Sequence, residues 1–189
     1  MNTTPEFIFL GNNTAVDFVN TEIILKGELI DLLPTPDELV RWTQRAGLQL
    51  DVSTTTMDHS DILDFRKSLR TLFSARIDNI MVPDHALTAV NHHLIRFAKR
   101  EVLAVKEDEY FLKPAATTLN PSMLLEYLAY AGATLLASSQ ANRLKRCNNP
   151  DCVLMFVDTS RSQKRRWCSM ETCGNRAKVS THYKKQRSC

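Results

Sequence analysis

The amino-acid sequence predicts an α+β fold in two parts. The first is a mostly helical domain with a few short strands over residues 1–142, and the second is a small cysteine-bearing module over residues 143–189. Three observations support this division. Apolar residues recur with a helical period of about 3.6 in several segments of the first part. All five cysteines fall in the last 43 residues, and the charge changes sign between the two parts.

The charge of the chain is strongly asymmetric. Residues 143–189 carry 12 Lys and Arg against three Asp and Glu, a net charge of +9. The remainder carries 12 basic and 18 acidic residues, a net charge of −6. A basic module beside an acidic domain suggests a nucleic-acid partner, although a solvated basic tail would have the same composition.

The composition is that of a soluble globular protein, with 43% hydrophobic and 24% charged residues. No window approaches the roughly 20 uninterrupted apolar residues of a membrane span. Residues 1–6 lack the basic start and apolar run of a secretory signal. We therefore expect a cytoplasmic protein.

The first elements of the body alternate between strand and helix. Residues 7–11 predict a short buried strand, residues 15–21 a short helix and residues 29–33 a second strand. Thr35 is placed as the N-cap of the next helix, because a proline and two acidic residues follow it in the first turn. Gly47 is a natural C-terminal stop for that helix.

Two further helices follow a polar, Thr-rich loop. From about Ser60, apolar residues recur at helical spacing, at Ile62, Phe65, Leu69, Leu72, Phe73 and Ile77. The next helix begins near Pro83. We expect it to bury one stripe of side chains, Leu87, Val90, Leu94 and Phe97.

The body ends with a hairpin and a helix. Residues 102–105 and 110–112 flank a charged four-residue turn, a pattern that predicts a β-hairpin. Pro121 begins what we expect to be the longest helix, running to about Arg143. The body is therefore interpreted as one α+β domain.

The cysteines of the module form two close pairs. Cys147 and Cys152 are separated by four residues, as are Cys168 and Cys173, and 15 residues lie between the pairs. This spacing can supply four sulfurs to one tetrahedral Zn²⁺. A reducing cytosol and the fifth cysteine, Cys189, argue against a complete disulfide framework. An iron–sulfur cluster or two disulfides remain as alternatives.

The remaining elements of the module predict a treble-clef-like layout. Residues 154–157 and 165–167 are interpreted as the two strands of a hairpin, with a turn over residues 158–162. A helix is expected from residue 174 to about residue 186. So small a unit has little core of its own. Zinc would supply the missing stability, with apparent binding free energies of about 10–16 kcal/mol.

The module resembles a known family of zinc fingers. Residues 167–178 are similar to the signature of the CGNR zinc finger, which is named after the stretch seen here from Cys173 to Arg176. Residues 146–152 and 156–158 match its first knuckle and strand. This resemblance implies one structural zinc ion held by the four paired cysteines.

The body resembles the domain that usually precedes this finger. Residues 15–21 and 33–39 are similar to the ABATE domain. Proteins with this pair of domains are bacterial and are regarded as transcription regulators, some of them stress-induced. The resemblance therefore implies a DNA-binding regulator associated with the nucleoid.

The basic residues of the module are candidate nucleic-acid contacts. Arg can read guanine edges, whereas Lys serves phosphates. Arg176 could instead have a structural role beside the metal, and the last basic residues could be a solvated tail. The candidate contacts are Arg161, Lys164, Arg165, Arg166, Arg176, Lys178, His182 and Lys185.

The body is expected to bind a small-molecule effector or to mediate a homodimer. No nucleophile–base pair, phosphate loop or paired carboxylate is evident, so we expect no catalytic residues and no enzyme. Two alternatives to DNA binding stay open. The module could bind RNA or dock a protein, or zinc could merely stabilise a body that binds a small molecule.

Overall fold

In the computed structural model, the described residues are 6–51, 53, 58–98, 101–114 and 118–179. Helices alternate with short antiparallel strand pairs, which confirms the predicted α+β class. Among these residues, no helix is both long and apolar enough to cross a membrane.

The helices of the body share one core. They are α1 (Thr14–Val19), α2 (Pro36–Arg45), α3 (His59–Asp78), α4 (Asp84–Leu94) and α5 (Pro121–Leu136). α3 packs against α1, α4 and α5, and α1 and α4 also contact α5. Large side chains without solvent exposure, including Phe18, Trp42 and Phe73, fill the space between them.

The strands form three separate antiparallel pairs. The first pair is β1 (Glu22–Leu25) with β2 (Glu28–Asp31), and the second is β3 (Glu101–Lys106) with β4 (Glu109–Pro114). The third pair lies within the cysteine module, at its start. It consists of β5 (Leu144–Arg146) and β6 (Met155–Val157).

The predicted start of α2 is confirmed. Thr35 is its N-cap, and the Thr35 hydroxyl accepts a hydrogen bond of 3.3 Å from the Glu38 backbone N–H. The hairpin predicted around residues 106–109 is also confirmed. Lys106 pairs with Glu109, and the two residues between them adopt positive φ. Such a two-residue turn matches the right-handed twist of the strands.

Two predictions for the body were wrong, and a third was right only in part. Residues 7–11 lie in an irregular segment and not in a strand. In α4 Val90 is buried as predicted, whereas Leu87 is 47% exposed and Ala86 is buried instead. α5 is shorter than α3 and ends at Leu136, because Ser138 caps a separate 3₁₀ turn over Ser139–Arg143.

A buried ion pair joins α3 to β2. Arg66 is 1% exposed, and its guanidinium donates hydrogen bonds of 2.7 and 2.6 Å to the two carboxylate oxygens of Asp31. It also donates to the Thr21 hydroxyl at 2.8 Å. Burial raises the pKa of Asp31, but the hydrogen bonds from Arg66 outweigh burial and hold that pKa below its ordinary value.

β6 is bonded along both of its edges. One edge pairs with β5, and the other faces the body. The Asn20 side chain donates to the Met155 carbonyl and accepts from the Met155 N–H, both at 2.8 Å. The Val157 N–H donates to the Gly11 carbonyl at 2.9 Å. Asn20 therefore replaces a neighbouring strand at this edge.

Asp17 holds the segment that precedes α1. Its carboxylate accepts a hydrogen bond of 2.7 Å from the Gly11 N–H. A Cβ atom at Gly11 would lie 2.8 Å from the same carboxylate oxygen and 2.7 Å from Val16, so only glycine fits here. Burial raises the pKa of Asp17 to about 6, although hydrogen bonds from Gly11 and Leu10 oppose this shift.

The raised pKa of Asp17 predicts a pH-dependent stability. Between the unfolded value of 3.8 and about 6, the folded state binds the extra proton, so this group's contribution to stability falls as pH rises. We expect the free energy of unfolding of Asp17→Asn, relative to wild type, to rise by about 1 kcal/mol from pH 5 to pH 7. Urea unfolding at both pH values measures this difference, and a constant difference would contradict the raised pKa.

Candidate metal centre

The four paired cysteines come from two turns that face each other. Cys147 directly follows β5, and Cys152 follows the turn over residues 148–151. Cys168 ends the loop that follows β6, and Cys173 lies in a single π-helical turn, Met170–Gly174. The four sulfurs of the two cysteine pairs therefore face one point, as the spacing predicted.

The sulfur positions fit a tetrahedral metal. All four Sγ atoms lie within 4.8 Å of one another. The Cys168 Sγ lies 3.8 Å from the Cys152 Sγ and 3.6 Å from the Cys173 Sγ. A tetrahedron with zinc–sulfur bonds of about 2.3 Å has edges of about 3.8 Å. These separations are too long for a disulfide, whose S–S bond is about 2.05 Å.

The electrostatics of the cluster favour a bound cation. Hydrogen bonds from the Cys152 and Cys168 thiols lower the pKa of Cys147 to about 2. The hydrogen bond to that thiolate raises the pKa of Cys152 to about 12, and bonds to both neighbours raise the pKa of Cys168 further. Four thiolates can therefore coexist here only beside a compensating charge such as Zn²⁺.

Backbone and side-chain N–H groups surround the sulfurs. The Cys168 N–H donates to the Cys147 Sγ, and the Asn149 side chain donates to the Cys173 Sγ, both at 3.4 Å. Asn149 is buried, and its own side-chain oxygen accepts from the Asp151 N–H. Such donors orient the ligands and offset thiolate charge. Nothing in the cysteine spacing marks Asn149 as a donor to sulfur, so this role could not be predicted from the sequence.

The apolar cover of the cluster comes partly from the body. Leu154 and Phe156 of the module pack around the cysteines together with Ile23 and Leu32, which lie in and beside the β1–β2 pair. Trp167 packs against the same cluster, in agreement with the prediction that it belongs to the module's core. The centre is thus buried between two parts of the chain.

The two parts match two family models in the expected order. Residues 143–186 match the CGNR zinc finger. Residues 12–139, about two thirds of the chain, match the ABATE model, described as "putative stress-induced transcription regulator". The chain belongs to the ABATE family. A search of the curated proteins finds no match.

These matches and the sulfur geometry together establish a zinc finger with four cysteines positioned for one zinc ion. Its four ligands fill a tetrahedral coordination, as in structural sites. Neither matched family is an enzyme family.

The hairpin predicted within the finger of this ABATE protein was wrong. Residues 165–167 are not a strand, and β6 pairs with β5, which precedes the first cysteine. The reason lies in Arg165. Its guanidinium lies 4.2 Å from the centroid of the Phe156 ring and donates to the Trp167 and Cys168 carbonyls, which holds the segment in an irregular path.

Asp158 organises the basic loop that follows β6. Its buried carboxylate accepts hydrogen bonds from Lys145 at 2.7 Å, the Ser160 hydroxyl at 2.6 Å and the Arg165 N–H at 2.9 Å. Burial would raise the pKa of Asp158, but these bonds outweigh it and hold the pKa well below its ordinary value. The signal in the sequence was the Asp-x-Ser turn, in which Asp158 also accepts from the Ser160 N–H.

The candidate nucleic-acid contacts fall into three groups. Arg165 is half-buried and bonded within the finger. His182 and Lys185, like Cys189, lie outside the described residues. The others are exposed and form no ion pair with another described residue: Arg161, Lys164, Arg166, Arg176 and Lys178.

Asn149 offers a test of the metal centre. We expect Asn149→Ala to lower the zinc affinity of the full chain by about 10- to 100-fold, because the Cys173 thiolate loses its side-chain donor. Asn148→Ala is the matched control, since Asn148 is exposed and bonds the Arg166 carbonyl only through its backbone. Competition with a chromophoric chelator measures both affinities. Equal affinities of the two variants would show that the Asn149 bond does not tune the metal.

Proposed function

We propose that this protein is a DNA-binding transcription regulator whose zinc finger presents basic side chains to the DNA. The observation that supports this proposal is the set of five exposed cations on the finger that form no ion pair with another described residue. Other basic side chains, such as Arg66 and Lys145, are neutralised by acids within the fold. Unpaired cations are the groups that replace counterions on a phosphate backbone.

The surface around these cations suits an extended polyanion. Lys164 and Arg166 line an open groove of about 690 Å³ beside the π-helical turn. Arg176 lines a second groove of about 550 Å³, and Glu171 lies between the two. Asn175 donates to the Glu171 carbonyl, so we assign it to helix structure and not to base reading. We assign Arg165 likewise to holding the loop.

The metal's part in this function is structural. The four cysteines fix the loop and the helical turn that carry the cations, and no open coordination position is needed for binding DNA. The proposal divides the chain into a finger, residues 143–189, and a body, residues 1–142, that senses an effector or mediates assembly.

The proposal predicts a salt-dependent affinity for duplex DNA. If all five exposed cations contact phosphates, log affinity falls with log salt at a slope of about −4.5. We expect the triple variant Lys164→Gln/Arg166→Gln/Lys178→Gln to reduce the magnitude of that slope by about 3. Fluorescence anisotropy with a labelled duplex at several salt concentrations measures it.

The control variant removes three positive charges from the body instead of from the finger. Lys26→Gln/Lys67→Gln/Lys106→Gln changes three exposed lysines and should leave the slope unchanged. Equal losses in the two triple variants would mean that net charge alone drives binding. Tighter binding of the zinc-loaded wild type to structured RNA than to duplex DNA would favour the RNA-binding alternative.

We also propose a homodimer, because one short finger reads few base pairs and dimers double the site. The described surface that supports it is one face of the β3–β4 pair, on which Leu103, Val105 and Tyr110 are 65%, 57% and 74% exposed. Val105 and Tyr110 are directly opposite in register. An isolated two-stranded pair is marginally stable, and packing against the same face of a second copy would bury these side chains.

If the exposed apolar face of the β3–β4 pair forms the dimer interface, charged side chains on that face should prevent dimer formation. We expect wild type to have twice the chain mass of 21.5 kDa and Leu103→Glu/Tyr110→Glu to be monomeric. Leu29→Glu is the control, since Leu29 is 63% exposed on a different strand pair. Light scattering after size exclusion measures the mass. A wild-type monomer at micromolar concentration would contradict the dimer.

A further inference from the structure

The contacts between the finger and the body differ from those of two domains joined by a linker. Leu144, Met155 and Val157 belong to the finger, yet they lie in the same hydrophobic core as α1, α3 and α5. In the opposite direction, Ile23 and Leu32 of the body cover the cysteines. Each part therefore supplies apolar surface that the other needs.

Polar bonds fix the relative position of the two parts. Asn20 bonds both backbone groups of Met155 at 2.8 Å, and Asn20 is 1% exposed. Arg70 of α3 donates to the Val153 carbonyl, in the segment after Cys152, at 3.2 Å. Its other terminal nitrogen donates to the Val19 carbonyl at 2.6 Å, so one guanidinium joins α1 to the metal-binding segment.

Loss of the Asn20 amide would leave the buried N–H and carbonyl of Met155 without hydrogen-bond partners. The N–H and carbonyl of Met155 face the body and have no strand partner on that edge. A buried backbone group without a partner is costly, so the edge of β6 cannot stay in place without a donor and acceptor of this geometry. Because β6 begins three residues after Cys152 and leads through residues 158–167 to Cys168, its position also sets where the sulfurs meet.

We propose that Asn20 is the positioning residue of the metal centre, and that it joins body and finger into one cooperative folding unit. Zinc bound to the cysteines therefore stabilises the body, and an intact body raises zinc affinity. The two effects are reciprocal, because the coupling free energy between two sites is the same in both directions.

The first test follows the body while zinc is removed. Trp42 is fully buried in the body, and the chain has only two tryptophans, so Trp167→Phe leaves Trp42 as the single tryptophan, which can be excited selectively over the tyrosines. We expect a chelator to lower the midpoint of the Trp42 thermal transition by about 5 °C or more in the full-length protein. A transition that does not change on chelation overturns the proposal.

The second test compares the two asparagines that cap α1. Asn20→Ala removes the bonds to Met155, whereas Asn13→Ala removes the N-cap, whose side chain bonds Ala15, Val16 and Ala131 and no other described residue. We expect zinc affinity, measured with a competing chelator, to fall at least about 10-fold for Asn20→Ala and less than about twofold for Asn13→Ala. Equal losses overturn the positioning role of Asn20.

The first test remains decisive if the variant in the second test does not fold. If Asn20→Ala does not fold even with excess zinc, the response of Trp42 to chelation decides alone. Hydrogen exchange of the amides in α1 and α3 of the wild type, with and without chelator, gives the same answer without any substitution. None of these readouts involves nucleic acid, so the outcome is separate from that of the proposed DNA binding.

Discussion

The pairing of the Asn20 side chain with the Met155 backbone is the interaction on which the rest of the structure depends. It spans 135 residues of sequence and lies where the end of the body's first helix meets β6, the described strand between the two cysteine pairs. β6 is three residues long and has a single strand partner. A strand that short needs its other edge satisfied before it can fix the cysteines that flank it.

Basic side chains at the boundary between body and finger are paired with acids, whereas those on the outer loop of the finger are not paired with described acids. Where body and finger meet, basic side chains are neutralised locally: Arg146 forms an exposed two-pronged ion pair with Asp78, and Arg70 Nε lies 2.8 Å from a Glu22 carboxylate oxygen. On the outer loop of the finger, the basic side chains remain unpaired with described acids. The same residue types therefore hold the fold together on one side and carry the proposed nucleic-acid surface on the other.

The hydrogen bonds of Asp158 connect the folded boundary between body and finger to the loop that carries the proposed nucleic-acid surface. Its carboxylate is bonded to the β5 residue Lys145 and to the loop that carries Lys164 and Arg166. The position of the proposed contact surface thus depends on the β5–β6 pair, and through it on the body. The basic loop is therefore packed against the metal-binding segment, where Arg165 lies between the Phe156 ring and the carbonyls of Trp167 and Cys168.

Features with local signatures could be predicted from the amino-acid sequence. The spacing of Cys147, Cys152, Cys168 and Cys173 predicted the metal centre, because two close pairs are how a chain surrounds one ion. Capping chemistry predicted the start of α2, and periodicity predicted α3. The tertiary structure alone decided which strand pairs with β6 and which polar residues are structural. Three-residue strands carry too little pattern to specify a partner, and the bonds of Asn20 and Arg66 form between segments whose proximity only the packed core creates.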